Sequence, residues 1–192
     1  NALQRQVDLH LAAAGPIHIL VNNAGGPPGG PILEATEADF IQAFGRLLMA
    51  PHLLVKLLLP GMKAAGYGRI VNIISTSVRE PLPNLGVSNT IAAATAAWAK
   101  TLSKELPPGI TINNVLPGAT ATERLEAIER ATAARTGKSL EEVKADLVRV
   151  IPEGRVAAPA ETAALVAFLA SPDAAYLRGQ SIAVDGGRMN CL

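Results

Sequence analysis

The stretch that decides the fold is IHILVNNAG, which runs from Ile17 to Gly25. Apart from His18, its first five residues are isoleucine, leucine and valine, which predicts a short strand buried on both faces. The asparagines and glycine that follow are typical of the point where a chain leaves a strand. Three further runs of this kind occur later in the chain, at residues 69–74, 110–115 and 180–184. The sequence therefore predicts four strands.

Between the strands, apolar residues recur with helical spacing. The predicted helices cover residues 7–14, 39–65, 88–106, 122–135, 140–150 and 160–170. Thr36 with Asp39, and Ser139 with Glu142, have the spacing of capping boxes that begin a helix. Strands that alternate with helices predict an α/β protein, in which a doubly wound parallel sheet of four strands carries helices on both faces.

The longest apolar stretch, residues 47–62, lies inside the second predicted helix. Pro51 and Pro60 are expected to bend or break that helix, because proline has no N–H to donate. The stretch also carries His52 and Lys56. It is shorter than the roughly 20 residues of a membrane-spanning helix, so we expect no membrane partner.

Composition excludes several other classes of protein. Hydrophobic residues make up 49% of the chain and charged residues 17%, below the roughly 25% charged share of ordinary domains, so a disordered chain is excluded. A formal net charge of +1 gives no sign of a nucleic-acid partner. Cys191 is the only cysteine, which excludes a disulfide framework and a thiolate metal site. We expect a cytoplasmic protein without a bound metal.

Four motifs follow one another along the chain. They are VNNAG at residues 21–25, GRIVNI at 68–73, NNVLPG at 113–118, and the run from GQ to VDGG across 179–187. In this order and spacing, the sequence resembles the short-chain dehydrogenase/reductase family over essentially its whole length. The resemblance implies a Rossmann-type oxidoreductase with NAD or NADP, and a small carbonyl or alcohol substrate as in 3-oxoacyl reductases and alcohol dehydrogenases. It also implies a homo-oligomer, either a tetramer or a dimer.

Members of this family begin with a strand, a glycine-rich phosphate loop and a helix. The Gly-rich stretch at residues 25–31 contains three prolines, which lack amide donors for a phosphate, so we interpret it as a stiff turn. We therefore expect residues 1–192 to form a single Rossmann-type domain that lacks its first strands and the phosphate loop.

The resemblance assigns proton transfer to a serine, a tyrosine thirteen residues later, a lysine four residues beyond it, and an asparagine on the preceding helix. Ser75 matches the serine, but Ser88, Ala92 and Leu47 stand at the other three positions. The candidate catalytic residues are therefore Ser75 and Ser88, in an atypical active site. A serine hydroxyl without an adjacent base is too weak an acid for this step near neutral pH. A non-catalytic ligand-binding or oligomeric scaffold of the same fold is the alternative function.

The same resemblance assigns cofactor contacts to seven positions, which are Asn23, Ala24, Gly25, Pro117, Gly118, Thr120 and Thr122. The first three would line the adenosine-ribose side, the proline and glycine would lie beneath the nicotinamide, and the threonines would contact the carboxamide or the phosphates. Two alternatives stay open, since Thr122 also suits a helix N-cap and Ser75 also suits an ordinary strand end. Asn22 and Asn113 are interpreted as structural asparagines that tie neighbouring loops together.

Residues 119–152 lie between the third strand and the last helix and leave the carboxyl edge of the sheet, where ligands bind in such folds. They are a candidate substrate lid, and the alternative is an ordinary crossover of unusual length. Arg79, Glu80 and Arg124 flank the expected site. We interpret them as solvated loop charges rather than as substrate contacts.

Overall fold

All four predicted strands lie in one parallel sheet in the computed structural model, which describes residues 2–191. The strands are β1 (Ile19–Asn22), β2 (Gly68–Ile73), β3 (Ile110–Pro117) and β4 (Ser181–Val184), and they lie side by side in that order. Every neighbouring pair is parallel. All four carboxyl ends therefore meet at one edge of the sheet, and the predicted α/β fold class is confirmed.

Seven α-helices connect the strands within residues 2–191. They are α1 (Ala2–Ala14), α2 (Glu37–Phe44), α3 (Ala50–Ala65), α4 (Gly86–Glu105), α5 (Glu123–Thr136), α6 (Leu140–Arg149) and α7 (Pro159–Ala170). Both predicted capping boxes are present, with Thr36 and Asp39 before α2 and with Ser139 and Glu142 before α6. In each box the serine or threonine oxygen accepts the backbone N–H three residues later, and the acidic side chain accepts the N–H of the capping residue.

Helices cover both faces of the sheet, as the apolar strands require. On one face α3 and α4 pack on β2 and β3, in a cluster of Val55, Leu58, Met62, Ile70, Ala99, Leu106, Ile110 and Ile112. On the other face Leu169 of α7 packs against Val71 and Val115. Successive residues Ile70 and Val71 thus lie in different clusters, because side chains alternate between the two faces of a strand. This double burial explains the nearly continuous apolar runs of β2 and β3. The prediction that β1 is buried on both faces is wrong, because its Ile19 and Val21 side chains are exposed.

The helix predicted over residues 39–65 does not break at either proline, so the expectation of a break is wrong. It continues from α2 to α3 through one π turn (Gly45–Met49), in which the Ala50 N–H bonds to the carbonyl of Gly45, five residues back. Pro51 follows at once, and its missing N–H would have bonded to the Leu47 carbonyl in a regular α-helix. The buried Thr95 hydroxyl on α4 lies 3.4 Å from that carbonyl oxygen, but its one proton is donated more closely to the Ile91 carbonyl, at 2.8 Å.

This continuous helix is also longer than the apolar stretch suggested. Glu37–Ala65 spans 29 residues with a mean hydropathy of 1.3 in its most apolar part, so by length and composition alone it could cross a membrane. Its length therefore does not exclude a membrane span. Val55, Leu58 and Met62 nevertheless pack into the main core cluster against the sheet, which is how the core helix of a globular protein is used.

Candidate functional site

A cavity of about 360 Å³ lies at the carboxyl ends of β1 and β2. Its walls come from the ends of these strands and the loops that follow them, from α1, from the π turn and the start of α3, and from the first three turns of α4. The volume falls within the range of roughly 300–1,000 Å³ that is typical of small-molecule sites. The position is the one expected for a ligand in an open parallel sheet. We therefore take this cavity as the candidate active site.

The cavity brings together four of the predicted site residues. Ser75 and Ser88 line it, and so do Asn23 and Ala24 from the loop after β1. Leu47 and Ala92, which stand at two of the unmatched catalytic positions, also line it. The structure therefore places the candidate catalytic serines and part of the predicted adenosine side in one cavity. Their chemical roles stay predictions.

The other five predicted cofactor residues, Gly25, Pro117, Gly118, Thr120 and Thr122, do not line this cavity. Pro117 and Gly118 end β3 at the same edge of the sheet, and the Gly118 N–H bonds to the Val184 carbonyl at 2.9 Å. The Thr122 hydroxyl accepts the Leu125 N–H at 3.4 Å as the N-cap of α5. The N-cap alternative is thus present, and a cofactor contact by Thr122 stays a prediction.

The two candidate catalytic hydroxyls differ in their local bonding. The Ser75 oxygen accepts the Ser77 N–H at 3.1 Å and caps the single 3₁₀ turn Thr76–Val78. Because the hydroxyl accepts in that bond, its own proton is free to be donated to a ligand. The Ser88 side chain makes no hydrogen bond with any of residues 2–191, and it is partly exposed in the cavity wall. Both hydroxyls can therefore donate to a bound oxygen.

Arg46 is the only ionisable side chain among the described residues that line the cavity. A guanidinium stays protonated at physiological pH and cannot exchange a proton during a reaction. Neither tyrosine substitutes, because the Tyr67 hydroxyl donates to the Ala170 carbonyl at 2.7 Å and Tyr176 is fully exposed. Lys100 donates to the Gly179 carbonyl at 3.1 Å. The described residues that line the site therefore offer hydroxyls and amides, and none of them has a side chain suited to acid–base catalysis.

A chain of side-chain hydrogen bonds crosses the sheet beside the cavity. Asn22 donates to Asn72 at 2.8 Å, Asn72 donates to Asn114 at 2.9 Å, and Asn114 donates to the Ser181 hydroxyl at 3.0 Å. Each pair lies directly opposite in the strand register. We call these four residues the amide ladder. The structural interpretation of Asn22 is confirmed, whereas the parts played by the other three were not predicted.

Asn113 is also structural, as interpreted from the sequence. It donates to the Leu177 carbonyl at 2.8 Å and accepts the Gln180 N–H at 2.9 Å, so it fixes the loop that enters β4. Arg79 is exposed, as interpreted, and donates to the Ser181 carbonyl at 2.8 Å. Arg124 is half-buried and donates to the Pro27 carbonyl at 2.6 Å, so the interpretation as a solvated loop charge is wrong for Arg124.

A second cavity, of about 240 Å³, lies at the end of β4 beside the segment that follows α6. Its charged lining residues include Arg155 and Glu161, which form a two-point ion pair at 2.7 and 2.8 Å. The Arg155 bonds, together with the Ala158 N–H, lower the pKa of Glu161 to about 2. Since these charges satisfy each other, the pair is best explained as a structural clamp on the start of α7.

Comparison with known proteins agrees with this architecture. The chain matches the model of the enoyl-(acyl carrier protein) reductase family over residues 1–189. It is 37% identical over 183 residues to 2,3-dihydroxy-2,3-dihydro-p-cumate dehydrogenase from Pseudomonas putida, an alignment that covers 93% of this chain and 68% of that protein.

Two solved structures are similar over nearly the whole chain. A variant of actinorhodin polyketide ketoreductase with NADPH has a TM-score of 0.92 and 31% identity, covering 98% of this chain and 74% of the other. L-Sorbose reductase from Gluconobacter frateurii, complexed with NADPH and L-sorbose, has a TM-score of 0.90 and 30% identity, and the match covers 99% of this chain and 73% of the other. With its parallel sheet and its site at the carboxyl edge, the chain belongs to the short-chain dehydrogenase/reductase family.

Proposed function

We propose that this chain is an NAD(P)-dependent oxidoreductase that acts on a small carbonyl or alcohol and has an atypical active site. Its relatives support the cofactor and the reaction class, since they are named as a dehydrogenase, a ketoreductase with NADPH and a reductase complexed with NADPH. The observation that carries the proposal is the 360 Å³ cavity, in which Ser75 and Ser88 face the loop of Asn23 and Ala24.

The residues of the cavity fit a dinucleotide and a small carbonyl compound. Small side chains at Ala24 and Gly26 leave room for a ligand to lie against the backbone, and the lining contains amides, hydroxyls and one arginine. These groups suit a carboxamide, a ribose and a carbonyl oxygen, and no carboxylate from the described residues lines the cavity to repel phosphate. NAD(P)H, when bound, supplies the hydride that such a reduction needs.

The role of this chain's own residues is to bind and orient the substrate oxygen. Ser75 can donate its proton to that oxygen while its lone pair stays bonded to the Ser77 N–H. Ser88 offers a second donor where the family resemblance places a tyrosine. The two positions where the family resemblance places a lysine and an asparagine carry the apolar Ala92 and Leu47, and Arg46 is the only ionisable side chain among the described residues of the lining. We therefore propose weak or absent carbonyl reduction by these residues.

The test measures turnover of the purified protein with NADPH and with NADH on a panel of aldehydes, ketones and 3-oxoacyl thioesters. Weak turnover that falls further in Ser75→Ala supports the proposal. Thr90→Ala is the matched control, since Thr90 is exposed on the same helix as Ser88 and lies outside the cavity. Efficient turnover that is abolished by Ser75→Ala would contradict the atypical site, because it would show that the serine alone suffices.

A non-catalytic ligand-binding or oligomeric scaffold is the second candidate function. It is favoured by the two apolar residues, Leu47 and Ala92, that line the cavity where the family resemblance places an asparagine and a lysine. Binding of NADPH or NADH, measured by calorimetry, without turnover on any member of the panel would support this function. Measurable turnover would exclude it.

Three further features belong to the same proposal. Residues 119–152 would act as a substrate lid, and the bond from Arg124 of α5 to the Pro27 carbonyl supports this by joining the segment to the loop after β1. A homo-oligomer, tetramer or dimer, is supported by the exposed apolar side chains of Ile41, Phe44 and Met49 along the long helix. A cytoplasmic location, expected from the single cysteine, completes the proposal.

A further inference from the structure

The short turn that follows β2 holds the side chain of Ser75. Ser75 caps the 3₁₀ turn Thr76–Val78, because its oxygen accepts the Ser77 N–H at 3.1 Å. The Thr76 carbonyl then accepts the Glu80 N–H at 3.1 Å. A group that holds Glu80 in place therefore also holds the turn to which the Ser75 hydroxyl is bonded.

Side chains of this turn are bonded to a segment far along the chain. The segment, residues 185–190, directly follows β4, and we call it the strap. The Glu80 carboxylate accepts the backbone N–H and the side-chain amide of Asn190, both at 3.3 Å. The Thr76 hydroxyl accepts from the Arg188 guanidinium at 3.4 Å. The strap thus contacts both ends of the turn.

The strap is itself held in place, so it can serve as an anchor. The Asp185 carboxylate accepts the N–H groups of Gly187 and Met189, at 3.1 and 2.8 Å. The Gly186 carbonyl accepts the Glu153 N–H at 3.1 Å. Gly186 and Gly187 have φ angles of +63° and +83°, which glycine adopts without strain. These bonds and backbone angles fix the path of the chain after β4.

We propose that Glu80 and Asn190 are positioning residues for Ser75, and that they hold its hydroxyl in the direction needed to bind a substrate oxygen. The inference deepens the proposed function and rests on it, since Ser75 is taken there as the group that binds that oxygen. Neither Glu80 nor Asn190 lines the cavity, so both act through the turn. Hydrogen bonds to a carboxylate are stronger than neutral ones, and supporting bonds of this kind keep a site residue in its productive geometry.

The test uses a thiol at position 75 as a reporter and needs no turnover. Cys191 is the only cysteine, so Cys191→Ser combined with Ser75→Cys leaves a single thiol at a position that lines the cavity. The thiolate is the form that reacts with iodoacetamide. An N–H that donates to the thiolate stabilises it and lowers the pH at which the alkylation rate is half-maximal. The pH profile of alkylation therefore reports whether the Ser77 N–H still points at the side chain of residue 75.

The variants are made in this single-thiol background. Glu80→Ala removes both acceptors, Glu80→Gln keeps one oxygen, and Asn190→Ala removes the amide but keeps the backbone N–H. Glu34→Ala is the matched control. Glu34 is exposed at the end of the 3₁₀ turn Ile32–Glu34, which follows β1, and its carboxylate is bonded to no other group in the part of the chain that the structure describes. Circular dichroism confirms that each variant is folded.

We expect the half-maximal pH to rise by about half a unit or more in Glu80→Ala, to rise less in Glu80→Gln and Asn190→Ala, and to stay unchanged in Glu34→Ala. The rate at high pH measures access to the thiol and should be the same in every variant. An unchanged half-maximal pH in Glu80→Ala would overturn the proposal. An equal rise in Glu34→Ala would also overturn it, because it would reflect a general loosening of the loops.

These outcomes are separate from the test of the proposed function. The expected alkylation profile in a protein that turns over no carbonyl compound would count against the oxidoreductase proposal alone. An unchanged profile in a protein that does reduce carbonyl compounds would count against the positioning role alone.

Discussion

Asn72 and Asn114 face each other on β2 and β3, and their side-chain amides are joined by a hydrogen bond of 2.9 Å in the buried centre of the sheet. Asn72 also accepts from Asn22, and Asn114 donates to Ser181, so the amide ladder reaches all four strands. Because a slip of one residue would break every bond, the ladder fixes the strand register. Asn72 lies three residues before Ser75, and both residues line the cavity.

Replacing Asn72 by alanine should strongly destabilise the fold. The change leaves a donor on Asn22 and an acceptor on Asn114 without their partners, in a sheet that excludes water at its centre. We expect the free energy of unfolding to fall by about 3 kcal/mol, measured by urea denaturation.

Thr111→Val on β3 is the control for that measurement. The Thr111 hydroxyl is buried and has no hydrogen-bond partner among the described residues, so its removal should leave stability unchanged or raise it. Equal losses in the two variants would mean that the ladder contributes no more than any buried polar side chain.

Gly118→Ala should separate the end of β3 from the turn after β4. An added Cβ would lie 2.8 Å from both Cα and Cβ of Asp185, which is closer than carbon atoms can pack. We expect a loss of about 1 to 3 kcal/mol, measured by thermal and urea unfolding. Gly45→Ala meets no atom within 4 Å and should be neutral or stabilising by up to about 1 kcal/mol. A Gly118→Ala variant as stable as the Gly45 variant would contradict the close packing at Asp185.

The Arg155–Glu161 clamp predicts a pH dependence of stability. The Arg155 hydrogen bonds, followed by the Ala158 N–H, lower the pKa of Glu161 from 4.5 to about 2 in the folded chain. A lowered carboxyl pKa stabilises the fold fully above its unfolded value, and this contribution is lost as pH falls from about 4.5 to about 2.

The measurement compares the urea midpoints of the unmodified chain and of Glu161→Gln across that pH range. Their difference should be constant at neutral pH and shrink on acidification. Glu126→Gln removes a single contact with Arg130 and should change stability less, because Glu161 accepts two bonds from Arg155 and one from the Ala158 N–H. If the difference between the two urea midpoints grew at acidic pH, the result would contradict a stabilising ion pair between Arg155 and Glu161.

Rebuilding the family's tyrosine and lysine should increase activity. Ser88 and Ala92 both line the cavity, so the double change Ser88→Tyr with Ala92→Lys would place a phenol and an ammonium group beside the substrate. We expect carbonyl reduction to rise by about 100-fold, measured by NADPH consumption. The variant with Ser88→Phe and Ala92→Lys has the same size but lacks the hydroxyl. Equal rates for the tyrosine and phenylalanine variants would contradict the proposed position of the substrate.

Much of the fold could be predicted because its signals are local. The apolar runs located β1 to β4 within two residues, and the spacing of Ser139 and Glu142 located the start of α6. The π turn could not be predicted in this way. It is a change in backbone hydrogen bonding directly before Pro51, and the spacing of side chains does not reveal such a change.

The site residues that come directly after strands could be predicted from the sequence. Ser75 and Asn23 come directly after strands that end at the same edge, and they do line one cavity. Arg46 was missed because it lies within a helix, and only the folding of that helix against the sheet brings it to the cavity. Three members of the amide ladder were missed, although their signal was available, since aligning parallel strands brings Asn72 opposite Asn114.

The π turn at Gly45–Met49 also marks where the long helix tolerates a change in chain length. A π turn holds an extra residue relative to an α-helix, so deletion of one residue there would restore regular winding. Because the wide turn takes up that residue locally, α2 and α3 would keep their orientations, and Ala43 would keep its buried position. The turn is therefore a place where the helix can lose one residue without changing which side chains face the core.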